Sequence, residues 1–185
     1  MALDAPGYGS SPPLPVAGYH PHALADLVPA VLAGCDVEQA IFVGFSWGGD
    51  VGCHVVARHS ERLLGLVLLD AGYTDPPFDP SLPYTTYLQM NQRRAEQHAT
   101  VEPQVMAAIE FGMAAAPPSR TRHAIAASKL PVLLIAAQGA PEDDLTGFVR
   151  DVRQAKVYRA EGLDHNVLAD GGRTVASALI DWLSS

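Results

Sequence analysis

Short apolar runs punctuate the chain at residues 40–43, 64–69, 132–137 and 157–160, and the first three consist almost wholly of Val, Ile, Leu, Ala and Phe. Runs of this length and composition read as β-strands, and residues 1–3 form a shorter candidate at the start of the chain. Between the runs the apolar positions recur every three or four residues, which predicts helices over 22–32, 47–59, 145–154 and 174–183. The third carries Leu145, Phe148, Val149 and Val152, and the last carries Val175, Leu179 and Trp182. Each thus has one stripe to bury. Strands alternating with amphipathic helices predict an α/β fold, a mostly parallel sheet with flanking helices.

The alternation breaks after the second run. From residue 74 the chain reads "TDPPFDPSLP", then shows helical patterns over 86–98 and 103–113, and closes with "AAAPPSR". Residues 73–129 therefore read as a helical lid inserted into a core made of 1–72 and 130–185.

With 185 residues and 48% hydrophobic content, the chain can bury a core as one domain with its insertion. Its formal net charge of −8 argues against nucleic acid or an anionic membrane surface as partners. Cys35 and Cys53 have neither CxxC spacing nor a disulfide-rich context and read as reduced thiols. The opening "MALDAPGYGS" has no basic start and no long apolar run, so neither a secretory signal nor a membrane span is expected, and the expected location is cytoplasmic.

The segment "IFVGFSWGGDVGCHVVARH" joins a strand pattern to a helix pattern through a serine framed by glycines. Gly44 and Gly48 stand two residues either side of Ser46, the G-x-S-x-G pattern of a nucleophile elbow, in the strand–turn–helix context that the pattern requires. Glycine is expected there because a β-carbon would collide in so tight a turn, and Gly49 and Gly52 are expected to let the helix approach the sheet. The plain alternative is a serine that N-caps the following helix.

A serine hydroxyl needs a base to take its proton. Of the seven histidines, His165 in "AEGLDHNVLAD" follows the last strand and precedes the last helix, in the chain order serine, acid, histidine. His20 and His22 sit near a helix start, His54 lies four residues from Asp50, His59 ends a helix, and His98 and His123 fall in or beside the lid. None shows metal-ligand spacing.

The chain resembles the α/β-hydrolase superfamily in "LDAPGYGSS", "VGFSWGGDVG", "RLLGLVLLDAG", "LPVLLIAAQG" and "GLDHNVLAD". The resemblance implies an α/β-hydrolase fold and a third, acidic member of a catalytic set with Ser46 and His165. In most of the family that acid follows the strand corresponding to 132–137, where this chain reads "QGAPEDDL"; Asp143 is the first choice, with Glu142 and Asp144 beside it. An acidic cluster there could also simply start the next helix. Asp70, at the carboxyl end of the 64–69 strand, is the rival, since some members take their acid from that strand.

By the same resemblance "LDAPGYGSS" follows the family's fourth strand, so three strands, a helix and the loop that supplies one oxyanion-hole amide are expected to be missing: an N-terminally truncated sheet. The Trp47 N–H is the remaining oxyanion donor, and loss of its partner is expected to weaken activity, by about 10²–10³-fold for one donor. The vacated edge beside the 40–43 strand is expected to drive homo-oligomer formation unless residues 1–3 pair there.

The expected function is that of a carboxylesterase-like serine hydrolase acting on an ester or related acyl bond of a small, fairly apolar molecule. Tyr84, Tyr87, Met90, Phe111 and Met113 would either line its acyl pocket or pack the lid on itself. No metal or organic cofactor is expected. The alternative is a weakly active or non-catalytic remnant that binds a ligand or partner.

Overall fold

A computed structural model describes residues 1–95 and 101–185. The chain divides into two compact units, one of Ala25–Asp75 with Pro118–Ser185, the other of Met1–Leu24 with Pro76–Pro117. Residues 1–24, expected with the core, thus cluster with the inserted helices, and residues 118–129 cluster with the sheet.

The first unit is built on four strands, β1 (Ala40–Phe45), β2 (Leu63–Leu69), β3 (Val132–Ala137) and β4 (Ala155–Ala160), all parallel and ordered as in the chain. Every residue of β3 and all but one of β2 is buried, so both sheet faces are covered at these two central strands, as their apolar runs require. Helix α2 (Trp47–His59) packs on β1 and β2, and α7 (Val167–Leu183) on β3 and β4. Val67, Leu69, Leu133 and Ile135 meet Val167, Val175 and Ala178 of α7 in the main core. Helix α1 (Pro21–Gly34) crosses from one unit to the other, and α5 (Arg122–Ser128) and α6 (Glu142–Asp151) complete the sheet unit.

Differences from the sequence reading have local causes. Residues 1–3 form no strand; Asp4 instead closes a turn, its carboxylate accepting from the Ser10 N–H at 3.1 Å and its carbonyl from the Ser11 hydroxyl at 2.8 Å. Strand β4 begins two residues before the apolar run because an edge strand tolerates Ala155 and Lys156. Helix α6 starts at Glu142, ahead of the apolar stripe, with Glu142, Asp143 and Asp144 in its first turn, where carboxylates favour a helix N-terminus. Helix α7 begins at Val167 and bends at Gly171. The two edges of the sheet differ: β4 carries Lys156 and Arg159, charges that discourage further pairing, whereas β1 carries none.

In the second unit α3 (Tyr84–Ala95) pairs with α4 (Pro103–Ala115). Of the helix expected over 86–98, residues 96–98 lie outside the described ones. Tyr87 is buried, and the Tyr84 and Tyr87 rings meet the Phe111 ring edge-on at 6.1 and 6.2 Å. These three aromatic residues therefore pack the unit's own core. Met113 is buried, while Met90 is exposed.

A buried carboxylate also fastens the pair. Glu110 of α4 accepts from the Asn91 amide at 2.7 Å and from Arg94 at 2.6 Å, both on α3. Glu110→Ala is expected to cost about 1–3 kcal/mol by stranding one Asn91 N–H, and Glu110→Gln less, as read by urea unfolding.

Candidate active site

Parallel strands place their carboxyl ends along one edge of the sheet, and the loops there carry the residues of interest. Ser46 follows β1, Asp70 follows β2, and His165 lies between β4 and α7. All three belong to the sheet unit.

Ser46 sits at φ 50°, ψ −127°, a left-handed backbone that a serine adopts at a cost of about 1–3 kcal/mol. The turn holds it there. Its N–H donates to the Leu69 carbonyl at 3.0 Å, while its own carbonyl accepts from the N–H groups of Gly49 and Asp50. Its hydroxyl makes no cap to α2 and instead lies 2.9 Å from His165 Nε2, so the N-cap alternative does not describe this serine.

The glycine requirement is narrower than the motif suggests. A β-carbon on Gly44 would run into the Gly48 carbonyl, and one on Gly49 into the Ala71 methyl, whereas Gly48 faces open space. One on Gly52 would lie 2.8 Å from the Phe42 ring, the close helix–sheet approach expected there.

The imidazole of His165 is fixed on three sides. Its Nδ1 lies 2.7 Å from Asp70 Oδ2, its Nε2 faces Ser46, and its ring lies over Phe45 at 5.1 Å between centroids. With Asp70 ionised, the Nδ1–H donates to the carboxylate and leaves Nε2 with its lone pair toward the serine hydroxyl. The loop bearing the histidine is tied down by Gln138, whose side chain accepts from the Gly162 N–H at 2.6 Å and whose N–H donates to the Leu163 carbonyl at 2.9 Å.

Of the two carboxylates proposed for this position, the structure brings Asp70 to the imidazole and leaves Asp143 exposed in the first turn of α6. Asp143, the first choice on sequence grounds, is there a helix-starting residue along with Glu142 and Asp144. Asp70 is buried, has φ 47°, and its Oδ1 accepts from the Tyr73 hydroxyl at 2.7 Å and the Ala137 N–H at 2.9 Å. Trp47 follows Ser46 and opens α2, and the first N–H groups of a helix point out of its N-terminal end.

The sequence profile of the alpha/beta hydrolase fold family matches residues 1–166. The chain belongs to that family. This alpha/beta hydrolase-fold chain is 36% identical over 85 residues, 45% of its own length, to the AB hydrolase superfamily protein YisY of Bacillus subtilis, and that stretch spans 31% of YisY. A thermophilic esterase from Thermogutta terrifontis superposes with a TM-score of 0.77 at 19% identity, over 96% of this chain and 76% of the esterase. An esterase from Exiguobacterium antarcticum gives 0.73 at 14%, over 97% and 79%. At such identities the likeness is one of fold. Among the described residues no helix is long and apolar enough to cross a membrane.

The titration of a buried carboxylate in this alpha/beta hydrolase unit is moved by its surroundings. Burial pushes Asp50 of α2 up to about 7, with repulsion from Asp75 adding to it and the Gly72 N–H, donating to Oδ1 at 2.9 Å, pulling the other way. An unfolded aspartate titrates near about 4, so between roughly pH 4 and 7 the folded chain holds a proton that the unfolded chain has released, and stability falls as pH rises through that window. Asp50→Asn keeps the acceptor for Gly72. It is expected to melt above wild type at pH 8 and level with it at pH 4, by thermal unfolding at the two pH values.

Proposed function

We propose that the chain is a carboxylesterase-like serine hydrolase that cleaves an ester or related acyl bond of a small, fairly apolar molecule. The observation that carries this reading is the continuous hydrogen-bonded chain Ser46–His165–Asp70, at 2.9 and 2.7 Å. The esterases among its structural neighbours are consistent with it.

In this mechanism His165 Nε2 takes the Ser46 proton as Oγ attacks the acyl carbonyl. Asp70 holds the imidazole in the tautomer that leaves Nε2 free and stabilises the imidazolium once it forms. The Trp47 N–H donates to the oxyanion of the tetrahedral intermediate. His165 then passes its proton to the leaving alcohol, and water activated by the same imidazole releases the acyl group from Ser46.

A fluorophosphonate probe tests the reading. Labelling of wild type that disappears in Ser46→Ala and is strongly reduced in His165→Ala supports acyl chemistry. A folded wild type that takes no label would instead favour a ligand-binding module that does no chemistry.

A further inference from the structure

Asp70 lies at the head of a turn, "DAGY", whose fourth residue returns to it. The Tyr73 side chain is buried, and its hydroxyl donates to Asp70 Oδ1 at 2.7 Å; the Ala137 N–H donates to the same oxygen at 2.9 Å. Both donors on Oδ1 leave Oδ2 as the oxygen that meets His165 Nδ1 at 2.7 Å. The turn is anchored away from the imidazole as well. Arg122 of α5 donates to the Tyr73 carbonyl at 2.7 Å and to Asp151 of α6 at 3.1 Å, with its guanidinium 5.8 Å from the centre of the Phe148 ring, while Gly72 N–H is held by Asp50.

We propose that Tyr73 is a positioning residue for the Asp70–His165 pair: its hydroxyl selects which carboxylate oxygen faces the imidazole and sets how much negative charge that oxygen presents. The catalytic meaning of this role rests on the proposed serine hydrolase reading; the role itself is a property of the ground state. A donor on Oδ1 draws charge away from Oδ2, so removing it strengthens the hold on the imidazolium, and a stronger donor weakens it.

The phenol remains a donor across the working range. Burial is the main cause that drives its ionisation upward, followed by the bond to Asp70 and the charges of Asp70 and Asp144, against which Arg159 acts. The groups facing the pair are therefore Ser46 on Nε2 and the Phe45 ring face for the imidazole, and Tyr73 and the Ala137 N–H for the carboxylate, with Asp144 of α6 and Arg159 of β4 acting on the phenol.

The test is a nitrogen-15 NMR titration of the His165 imidazole, its signal identified by its absence in His165→Gln. Tyr73→Phe keeps the ring and is expected to raise the His165 midpoint by roughly 0.5–1 unit. Incorporating 3-fluorotyrosine at position 73 keeps the shape, strengthens the donor, and is expected to lower the midpoint. A merely structural role would not produce shifts of opposite sign. An unchanged midpoint in both folded proteins overturns the inference, and if Tyr73→Phe does not fold, the fluorotyrosine protein alone decides. The pH profile of fluorophosphonate labelling separates this from the proposed function. Opposite imidazole shifts in an unlabelled wild type uphold the Tyr73 role and reject acyl chemistry, whereas robust labelling with unmoved midpoints does the reverse.

Discussion

On the proposed serine hydrolase reading, Asp70→Asn is expected to lower turnover of a chromogenic ester about 10⁴-fold at pH 7, the scale seen when a buried triad acid elsewhere becomes an amide, while Asp143→Asn leaves it within about two-fold. The structure supplies the reason for so large an effect from so small a change. Tyr73 and Ala137 both donate to Oδ1, so an asparagine must offer its carbonyl to them and turn its NH₂ toward His165 Nδ1. Two donors cannot face one another, so Nδ1 must become the acceptor and the ring proton moves to Nε2. That proton then points at the Ser46 hydroxyl, and the imidazole can no longer take one from it. Fold and packing stay intact, because the amide fills the carboxylate's volume and keeps both Oδ1 bonds. Asp143 stands exposed at the start of α6, where losing its charge removes only part of a favourable helix-end interaction. Equal losses from the two variants would return the choice of acid to the loop after β3.

The contrast between these two aspartates also marks how far the sequence can be read. Ser46 is legible because its flanking glycines and the change from strand to helix period fall within a dozen residues, and His165 because chain order alone singles it out among seven histidines. Both cues are local. Asp70 and Asp143 each follow a parallel strand, so both lie on the edge of the sheet that bears Ser46, and composition cannot rank them. What separates them is that β2 lies beside β1, so that Asp70 emerges next to the elbow, whereas Asp143 is carried away by the first turn of α6. Phe45, Tyr73 and Gln138 carry no signal of their own, since each acts through a contact that only the folded register creates. Strands β2 and β3 are legible for the opposite reason: buried on both faces, they must be nearly continuous apolar runs. Where burial lapses, as in the exposed β4 edge or the acidic first turn of α6, the sequence pattern loses the boundary.

Gly44→Ala and Gly48→Ala are expected to behave in opposite ways although the two glycines are equivalent in the motif. A β-carbon on Gly44 would press on the Gly48 carbonyl group and come within 2.5 Å of the Gly49 nitrogen, all backbone atoms of the turn and of α2's first residues. Backbone cannot swing aside as a flexible side chain can, so the elbow must open, and a loss of about 3 kcal/mol is expected. Opening the elbow also shifts Ser46 away from Nε2, so fluorophosphonate labelling should fall even in the fraction that remains folded. Gly48 has nothing within 4 Å of its would-be β-carbon and lies in α2. There alanine removes backbone freedom from the unfolded chain and improves helix propensity, for a gain of up to about 1 kcal/mol with labelling unchanged. Chemical denaturation of the two variants reads both expectations. A Gly48→Ala protein as damaged as Gly44→Ala would mean that the second glycine of the motif is held tightly after all, and that the strain at Ser46 is shared across the whole turn rather than concentrated at the approach of β1 to α2.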